Sequence, residues 1–459
     1  MEKNEPVLPE YVSAVLNALS AAGFHGYLVG GSLRDMLRGV KPHDFDLTTD
    51  ATPDEMLSVF AAFRTFPTGL KHGTLTVLSD GHPVEVTTHR VDGAYSDSRH
   101  PAAVRFTASL AEDLSRRDFT VNAMAWSRET GLVDLFDGAR DLAAGVLRAV
   151  GDPEKRFRED ALRILRLFRF AAQLDFEIDP ATARGAAAEA PGLANISAER
   201  IFGELTRTLT GKAAARGISG LCACGCVPYV FGDTVPDLSV LPAFEKMPSD
   251  PAVRFAALVF PHGEEKARGL CRKLRSSNAF SHTVCGVIEA MGEKIPQTEF
   301  EARRFVCTYY ESWRAAFAVL AAECAGAEER PDAQLSADSA DTVSGAGTPS
   351  GAGTPSGAGT SLSADAQSGT PPRVPTGAEV RAGAILCERV VRDRTAVDLH
   401  RLAVNGVDLQ QKAGIRTEKT AKTLRYLQEL VWHEPQQNKK AALIAAAIAY
   451  AQKEESENG

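Results

Sequence analysis

Near the N-terminus, residue types that suit phosphate stand just ahead of residue types that suit a metal ion. The run Leu28-Val29-Gly30-Gly31-Ser32-Leu33-Arg34-Asp35 leads, through one turn, into Asp44-Phe45-Asp46. Two aspartates one residue apart project from the same face of a strand, so both can reach the same magnesium ions. Glycines let the backbone approach phosphate oxygens, and Arg34 can add a charge-assisted contact. A glycine pair alone is usually a turn, and an isolated DxD is usually solvated. Together they describe a site for a triphosphate and Mg2+, with Gly30, Gly31, Ser32 and Arg34 on the nucleotide side and Asp44 and Asp46 on the metal side.

Three further segments extend this chemistry. In Val84-Glu85-Val86, Glu85 alternates with valines on a strand. It is a third carboxylate for the metal pair if the strands lie side by side, and otherwise a solvent-facing residue of an edge strand. Lys71 and His72 read as turn or phosphate-proximal residues. The block Asp113-Leu114-Ser115-Arg116-Arg117-Asp118-Phe119-Thr120-Val121-Asn122 gathers two arginines, an aspartate and an asparagine ahead of an apolar run. Arginine clamps phosphate bidentately, and Asp118 and Asn122 can read ribose hydroxyls; the alternative is a helix start with Asp118 as its cap. Finally, Arg156 to Phe170 is rich in helix formers and repeats a polar residue every third position. On one helix, Asp160, Arg163, Arg166 and Arg169 would form a slanting ridge with its two ends facing nearly opposite ways. Asp160 and Arg163 would then share one task, leaving Arg166 and Arg169 for phosphate, RNA backbone or helix packing.

These residues need a scaffold, and the pattern of the chain supplies one. From about Tyr11 to Val150, β-like runs (Gly26 to Val29, Phe45 to Thr48, Thr74 to Leu78, Val84 to Thr88, Leu132 to Leu135) alternate with helical stretches. Beyond Gly151 the apolar spacing is helical almost throughout. The expected class is α+β: a mixed α/β head over 1–150, then an all-α neck (151–215), body (216–324) and tail (377–459). A segment over 325–376, dominated by Ser, Gly, Ala, Thr and Pro with a recurring Ser-Gly-Ala-Gly-Thr-Pro unit, is too polar to bury a core and reads as a disordered insertion.

At 459 residues the chain is long enough for several packed units. The net charge of −8 argues against a general polycationic coat, while leaving room for a local basic groove. No apolar run is long enough to span a bilayer and the N-terminus lacks signal-peptide features, so the expected setting is cytoplasmic, without a membrane. The eight cysteines read as reduced thiols. The Cys222, Cys224, Cys226 run lacks paired CxxC spacing and looks like a helix end.

The three blocks GGSLRD with DFD, RRDFTVNAMA and EDALRILRLFRF resemble the motifs of the class II tRNA nucleotidyltransferase and bacterial poly(A) polymerase family, within the polymerase β nucleotidyltransferase superfamily. Further similar segments are Val133-Asp134-Leu135-Phe136-Asp137-Gly138, Ile196-Ser197-Ala198-Glu199-Arg200-Ile201 and Leu402-Ala403-Val404-Asn405-Gly406-Val407-Asp408-Leu409. The resemblance implies that Asp44 and Asp46 bind two Mg2+ ions, with Gly31 and Arg34 on the incoming nucleotide and Arg117 at its phosphate or sugar. It also implies that Asp160, Arg163, Arg166 and Arg169 complete the pocket, Asp160 and Arg163 acting as a protein template for the base. It further implies CTP and ATP as substrates and the tRNA 3′ end as partner, with no obligate protein partner evident.

Three activities fit the resemblance: full CCA addition, partial addition, and poly(A) synthesis. The stretch Thr88 to Pro101 resembles the family's flexible loop, which members adding only CC lack, and His100 stands there where a second arginine is common. CCA addition is the expected activity, A-addition or poly(A) synthesis the alternative. An inactive tRNA-binding scaffold is the reading from a different class.

Overall fold

A computed structural model of the chain describes residues 6–92, 104–328 and 375–457. Residues 93–101 of the loop expected over Thr88 to Pro101, His100 included, and nearly all of the expected insertion lie outside the described residues. The chain divides into two compact units, residues 1–292 and 293–459, with the division falling inside the expected body.

The first unit opens with α1 (Glu10–Ala21), β1 (Gly26–Val29), α2 (Gly30–Leu37), β2 (Asp46–Thr49), α3 (Pro53–Val59), β3 (Arg64–Gly69), β4 (Thr74–Ser79) and β5 (His82–Thr88). It continues through β6 (Arg90–Asp92), β7 (Val104–Phe106), α4 (Leu110–Ser115), β8 (Met124–Ser127), β9 (Gly131–Asp134) and α5 (Gly138–Ala144). Strand order in the main sheet is β3-β4-β5-β2-β1-β8-β9, and β6 pairs only with β7. Every main-sheet neighbour pair is antiparallel except β2 with β5, which run parallel.

Alternation along the strands separates two faces. Leu28, Leu47, Leu75, Val77, Val84, Val86, Met124 and Trp126 point into the main core with Val12, Val15 and Leu19 of α1 and Met56 of α3. Tyr27, Val29 and Ala125 pack on the other face with Leu114 of α4. α3 starts sharply because Thr52 and Glu55 form a capping box and Pro53 opens the helix. Two strands of the main sheet escaped the sequence reading, as did the short strands of the two-stranded pairs. β3 carries Pro67 and lies at the sheet edge, and β8 is buried at all four residues, so neither shows the apolar-polar alternation that marks a strand.

The chain then becomes helical. After β10 (Val146–Leu147) come α6 (Pro153–Glu159) and α7 (Leu162–Leu174), then β11 (Glu177–Ile178), which pairs parallel with β10. Next are α8 (Pro180–Glu189), α9 (Ala198–Leu209), α10 (Ala214–Ala223), α11 (Val227–Val230), α12 (Pro251–Val259), α13 (Gly263–Lys273) and α14 (Asn278–Gly292). The cysteine run falls at a helix end as expected: Cys224 caps α10, Gly225 takes φ +79°, and Cys226 precedes α11. None of the eight cysteines is in a disulfide.

α7 is buried on nearly every side and meets α9 and α10 at close range. Small residues make this approach possible. A Cβ on Gly217 would sit 2.8 Å from the Phe168 carbonyl oxygen, the Ala172 Cβ and the Thr208 Cγ2. Buried Arg254 ties α12 to the end of α9, donating from Nη1 to the Leu209 carbonyl at 2.6 Å and from Nη2 to the Phe244 carbonyl at 2.9 Å.

The second unit comprises α15 (Glu299–Thr308), α16 (Trp313–Glu328), α17 (Gly377–Arg392), α18 (Gly406–Ala413), α19 (Thr417–His433) and α20 (Lys440–Glu457). α16 extends the helical region past residue 325, where the insertion was expected to begin. The last three helices close a small core of Leu409, Leu427, Val431, Leu443 and Ala447. Among the described residues, no helix is long and apolar enough to cross a membrane.

Two glycines make opposite predictions. Gly217→Ala should lower stability by about 1–2 kcal/mol, because overpacking against backbone outweighs the gain in helix propensity. Gly269→Ala, on α13 with nothing within 4 Å of its added Cβ, should raise stability by up to about 1 kcal/mol. Melting temperatures of the two variants check both signs.

Candidate active site

The register of the sheet places the acidic residues. Val29 pairs with Asp46 and Asp46 with Glu85, so Glu85 lies beside Asp46 on the face of the sheet opposite the main core. The strands that the Glu85 reading required to be neighbours are neighbours. Phe45, buried at 5% exposure, turns into the core and leaves the flanking Asp44 and Asp46 on the other side. The preceding turn is held by Ser32, whose hydroxyl donates to the Val29 carbonyl at 2.8 Å and accepts from the Asp46 amide at 3.4 Å. Ser32 thus supports the Gly30-Gly31 segment from below and does not line the cavity beyond it. Gly30 needs to be glycine because its φ is +67°, with Arg117 Nη1 and Asp46 Oδ2 3.4 and 3.6 Å from where a Cβ would stand.

Burial, then repulsion from Asp44 and Glu85, pushes the Asp46 carboxyl up to about 6, with Arg117 opposing the shift. Hard oxygen donors crowded in this way suit a divalent cation. Among the described residues no group of three or more His, Cys, Asp or Glu side chains is arranged as a metal cage. A divalent cation such as magnesium can be held by one or two carboxylates when substrate phosphates supply the remaining oxygens.

Near the carboxylates lies a set of arginines, each oriented by polar partners within the fold. Asp113 is fully buried and receives Arg116 from Nε at 3.0 Å and Nη2 at 2.7 Å, and Arg117 from Nη2 at 3.0 Å. Burial alone would raise its carboxyl, but Arg117 and Arg116 hold it down to about 2. Asp118 takes both Nε and Nη2 of Arg166 on one oxygen, at 2.9 and 2.6 Å, and the Asn122 amide on the other at 3.1 Å. Its carboxyl is likewise held at about 2 against the effect of burial, by Arg166 and then Asn122. The Asn122 carbonyl oxygen accepts from Arg34 Nη1 at 2.9 Å, and Arg34 Nε reaches Asp35 at 2.9 Å. Asp118 and Asn122, read from the sequence as groups able to meet ribose or as a helix start, line the cavity and also orient Arg166 and Arg34.

The third block departs from expectation in its backbone. Asp160 is not within a helix: it has φ −147° and ψ 104° and separates α6 from α7. Its Oδ1 accepts from the Leu162 amide at 3.0 Å and its Oδ2 from Arg200 Nη2 at 3.1 Å, so the carboxylate caps a new helix while an arginine forty residues on holds it. The break also cancels the expected divergence of Asp160 and Arg169, since both line one cavity. Arg163 is fixed by Glu159 and the Arg156 carbonyl on Nη1, at 2.7 and 2.9 Å, and by the Arg116 carbonyl on Nη2 at 3.1 Å. Arg169 Nε lies 2.9 Å from Glu204 Oε2 but off the hydrogen-bond axis, an ion pair without a well-aligned hydrogen bond.

The cavity so formed is about 600 Å³ and lies within the first unit. Apart from Ser32, every candidate from the sequence lines it: Gly30, Gly31, Arg34, Asp44, Asp46, Glu85, Arg117, Asp118, Asn122, Asp160, Arg163, Arg166 and Arg169. Lys71 and His72 do not. Arg90, Arg116, Phe170 and Arg200 also line it and were not anticipated as site residues. Asp113, Glu159 and Glu204 support it through ion pairs. Asp113 was legible as a carboxylate three and four residues ahead of an arginine pair, a spacing that brings the charges together on a helix. For Arg200 and Glu204 the signal was weaker, an Arg and a Glu at i, i+4 in the segment beginning Ile196-Ser197.

Residues 26–148 match the family model described as the poly A polymerase head domain, and residues 175–240 match that described as a probable RNA and SrmB-binding site of polymerase A. A CCA-adding enzyme of Levilactobacillus brevis is 45% identical over 236 residues, 51% of this chain and 59% of that protein. One from Streptococcus suis is 41% identical over 282 residues, 60% of this chain and 69% of that protein. Thus the match to the first relative covers less than two thirds of its length. Among solved structures, the Bacillus stearothermophilus CCA-adding enzyme in complex with CTP aligns over 98% of this chain and 100% of its own, with 25% identity and a TM-score of 0.73. Motifs, mixed-sheet head with helical remainder, and relatives agree: the chain belongs to the CCA-adding enzyme family of nucleotidyltransferases.

Proposed function

We propose that this protein adds C, C and A to the tRNA 3′ end from CTP and ATP, without a nucleic-acid template, in the cytoplasm. What supports this reading most is that one cavity is lined both by the Asp44 and Asp46 carboxylates and by the Asp160 and Arg163 pair. A site with only the first could transfer many nucleotides; the second gives it a means of choice.

In this reading Asp44 and Asp46 hold Mg2+, with Glu85 beside them, and the glycine loop and arginines bind the triphosphate. The bound metal would lower the pKa of the RNA 3′-hydroxyl and balance charge on the leaving phosphates. The hydroxyl attacks the α-phosphate, an ester bond forms, and the bond to pyrophosphate breaks. Arg34 and Arg117 line the same cavity as the carboxylates and neutralise the phosphate oxygens. No protein nucleophile takes part.

Base choice follows from hydrogen-bond polarity. Cytosine and adenine each offer an exocyclic amino donor beside a ring-nitrogen acceptor, which matches an aspartate acceptor beside an arginine donor. Uracil and guanine present the reverse pair and would leave the buried groups unmatched. Asp160 suits this role because each of its oxygens accepts one hydrogen bond from the protein and has a further lone pair. We further propose the head (1–150) as the transfer unit, the neck (151–215) as the base reader, and the tail (377–459) as the grip on tRNA, with the body (216–324) between neck and tail.

Asp44→Ala should abolish nucleotide incorporation on tRNA while leaving tRNA binding largely intact, measured by primer extension and filter binding; retained incorporation contradicts the metal assignment. Replacing Asp160 or Arg163 should relax the preference for CTP over UTP before it removes transfer, and unchanged selectivity in single-turnover assays would refute the template role.

The buried carboxylates predict acid sensitivity. Asp113 and Asp118 each have a folded value of about 2 against an ordinary 3.8. A depressed folded value stabilises fully above the ordinary one and is lost as pH falls through the folded one. Unfolding free energy should therefore drop between about pH 4 and pH 2. Asp113→Asn should cost roughly 2–4 kcal/mol at neutral pH and flatten that acid slope, as read from urea titrations at stepped pH.

A further inference from the structure

Phe170, at the buried wall of the cavity and 7% exposed, has three guanidiniums against its ring. The Arg169 Cζ is 4.2 Å from the ring centroid, that of Arg34 5.3 Å and that of Arg166 5.4 Å. The ring is fixed from behind by Phe119, edge to face at 5.8 Å and 86°. These arginines come from two different elements, α2 and α7, and converge on one aromatic side chain.

Each guanidinium also has a carboxylate partner: Asp35 for Arg34, Asp118 for Arg166 and Glu204 for Arg169. A carboxylate holds an arginine by cancelling its charge. An aromatic face attracts the same cation through its quadrupole and adds no net charge, so the positive field survives for an anionic ligand. Burial pulls the Arg169 guanidinium down to about 10, which still leaves it cationic at neutral pH.

We infer that Phe170 is a positioning residue for nucleotide binding, its ring holding Arg34, Arg166 and Arg169 together so that their charge faces a nucleoside triphosphate. The inference rests on the triphosphate reading of the cavity. It differs from a packing role in one respect: it depends on the electron density of the ring as well as on its shape.

Fluorination tests that dependence, because it weakens the ring quadrupole with little change in size. Phenylalanine with one, two or three ring fluorines would be placed at position 170 of the full chain. CTP and UTP affinity would then be measured by calorimetry with Mg2+, and melting temperature recorded for each protein. CTP affinity should fall stepwise, by about three- to tenfold for the trifluorinated ring. Melting temperature should hold steady, and the CTP to UTP ratio should stay constant because the base contacts are untouched. Phe170→Leu should weaken CTP binding at least as much. Equal CTP affinity across the fluorinated series overturns the inference and leaves Phe170 as core packing alone. A wild-type chain that binds neither nucleotide would instead bring down the nucleotide-binding reading, and this inference with it.

Discussion

Guanidinium groups around a single cavity repel one another, and this structure depends on how that repulsion is contained. Arg34, Arg116, Arg117, Arg163, Arg166 and Arg169 all line the space facing Asp44 and Asp46. Arg34 is held by Asp35 and Asn122, and the others by Asp113, Asp118, Glu159 and Glu204, buried or part-buried carboxylates. Two of these carboxylates stay ionised down to about pH 2 because the arginines need them. The arrangement localises positive charge in a chain whose net charge is −8. Overall composition therefore says little about the ligand, and the distribution of charge says much more.

The sheet and the helices contribute different things to this site. The parallel pairing of β2 with β5, unique within the main sheet, sets Asp46 beside Glu85, which adds to burial and to Asp44 in raising the Asp46 carboxyl. The helices α6 and α7 supply the polar ridge, and the interruption between them at Asp160 is what turns both of its ends toward the cavity. A continuous helix would have left Asp160 and Arg169 facing apart. Close packing of α7 against α9 and α10, allowed by Gly217, keeps Arg200 and Glu204 within reach of Asp160 and Arg169.

Much of this was legible in the sequence where a physical period governs it. The aspartate pair follows from strand alternation, and the buried Phe45 between them is its counterpart. The largely helical character of the described residues past Gly151 follows from apolar spacing. What escaped depended on contacts distant in the chain. Asp160 and Ala161 are acceptable helix residues, and the break between α6 and α7 is fixed by the Asp160 carboxylate capping Leu162 and pairing with Arg200. Asp118 and Asn122 were read as ligand groups because their types suit ribose. Their partners within the fold, Arg166 and Arg34, lie 48 and 88 residues away and gave no local signal. β8 was missed because burial on both faces erases alternation.

The central claim is that one cavity both transfers nucleotides and chooses C and A. Its most direct test offers purified protein and Mg2+ three tRNAs, ending at the discriminator base, at C and at CC, with each labelled nucleotide in turn. The account predicts growth by two C residues and then one A, with no incorporation from UTP or GTP. Growth only from the CC end, long A tails on unrelated RNA, or equal use of UTP would contradict it.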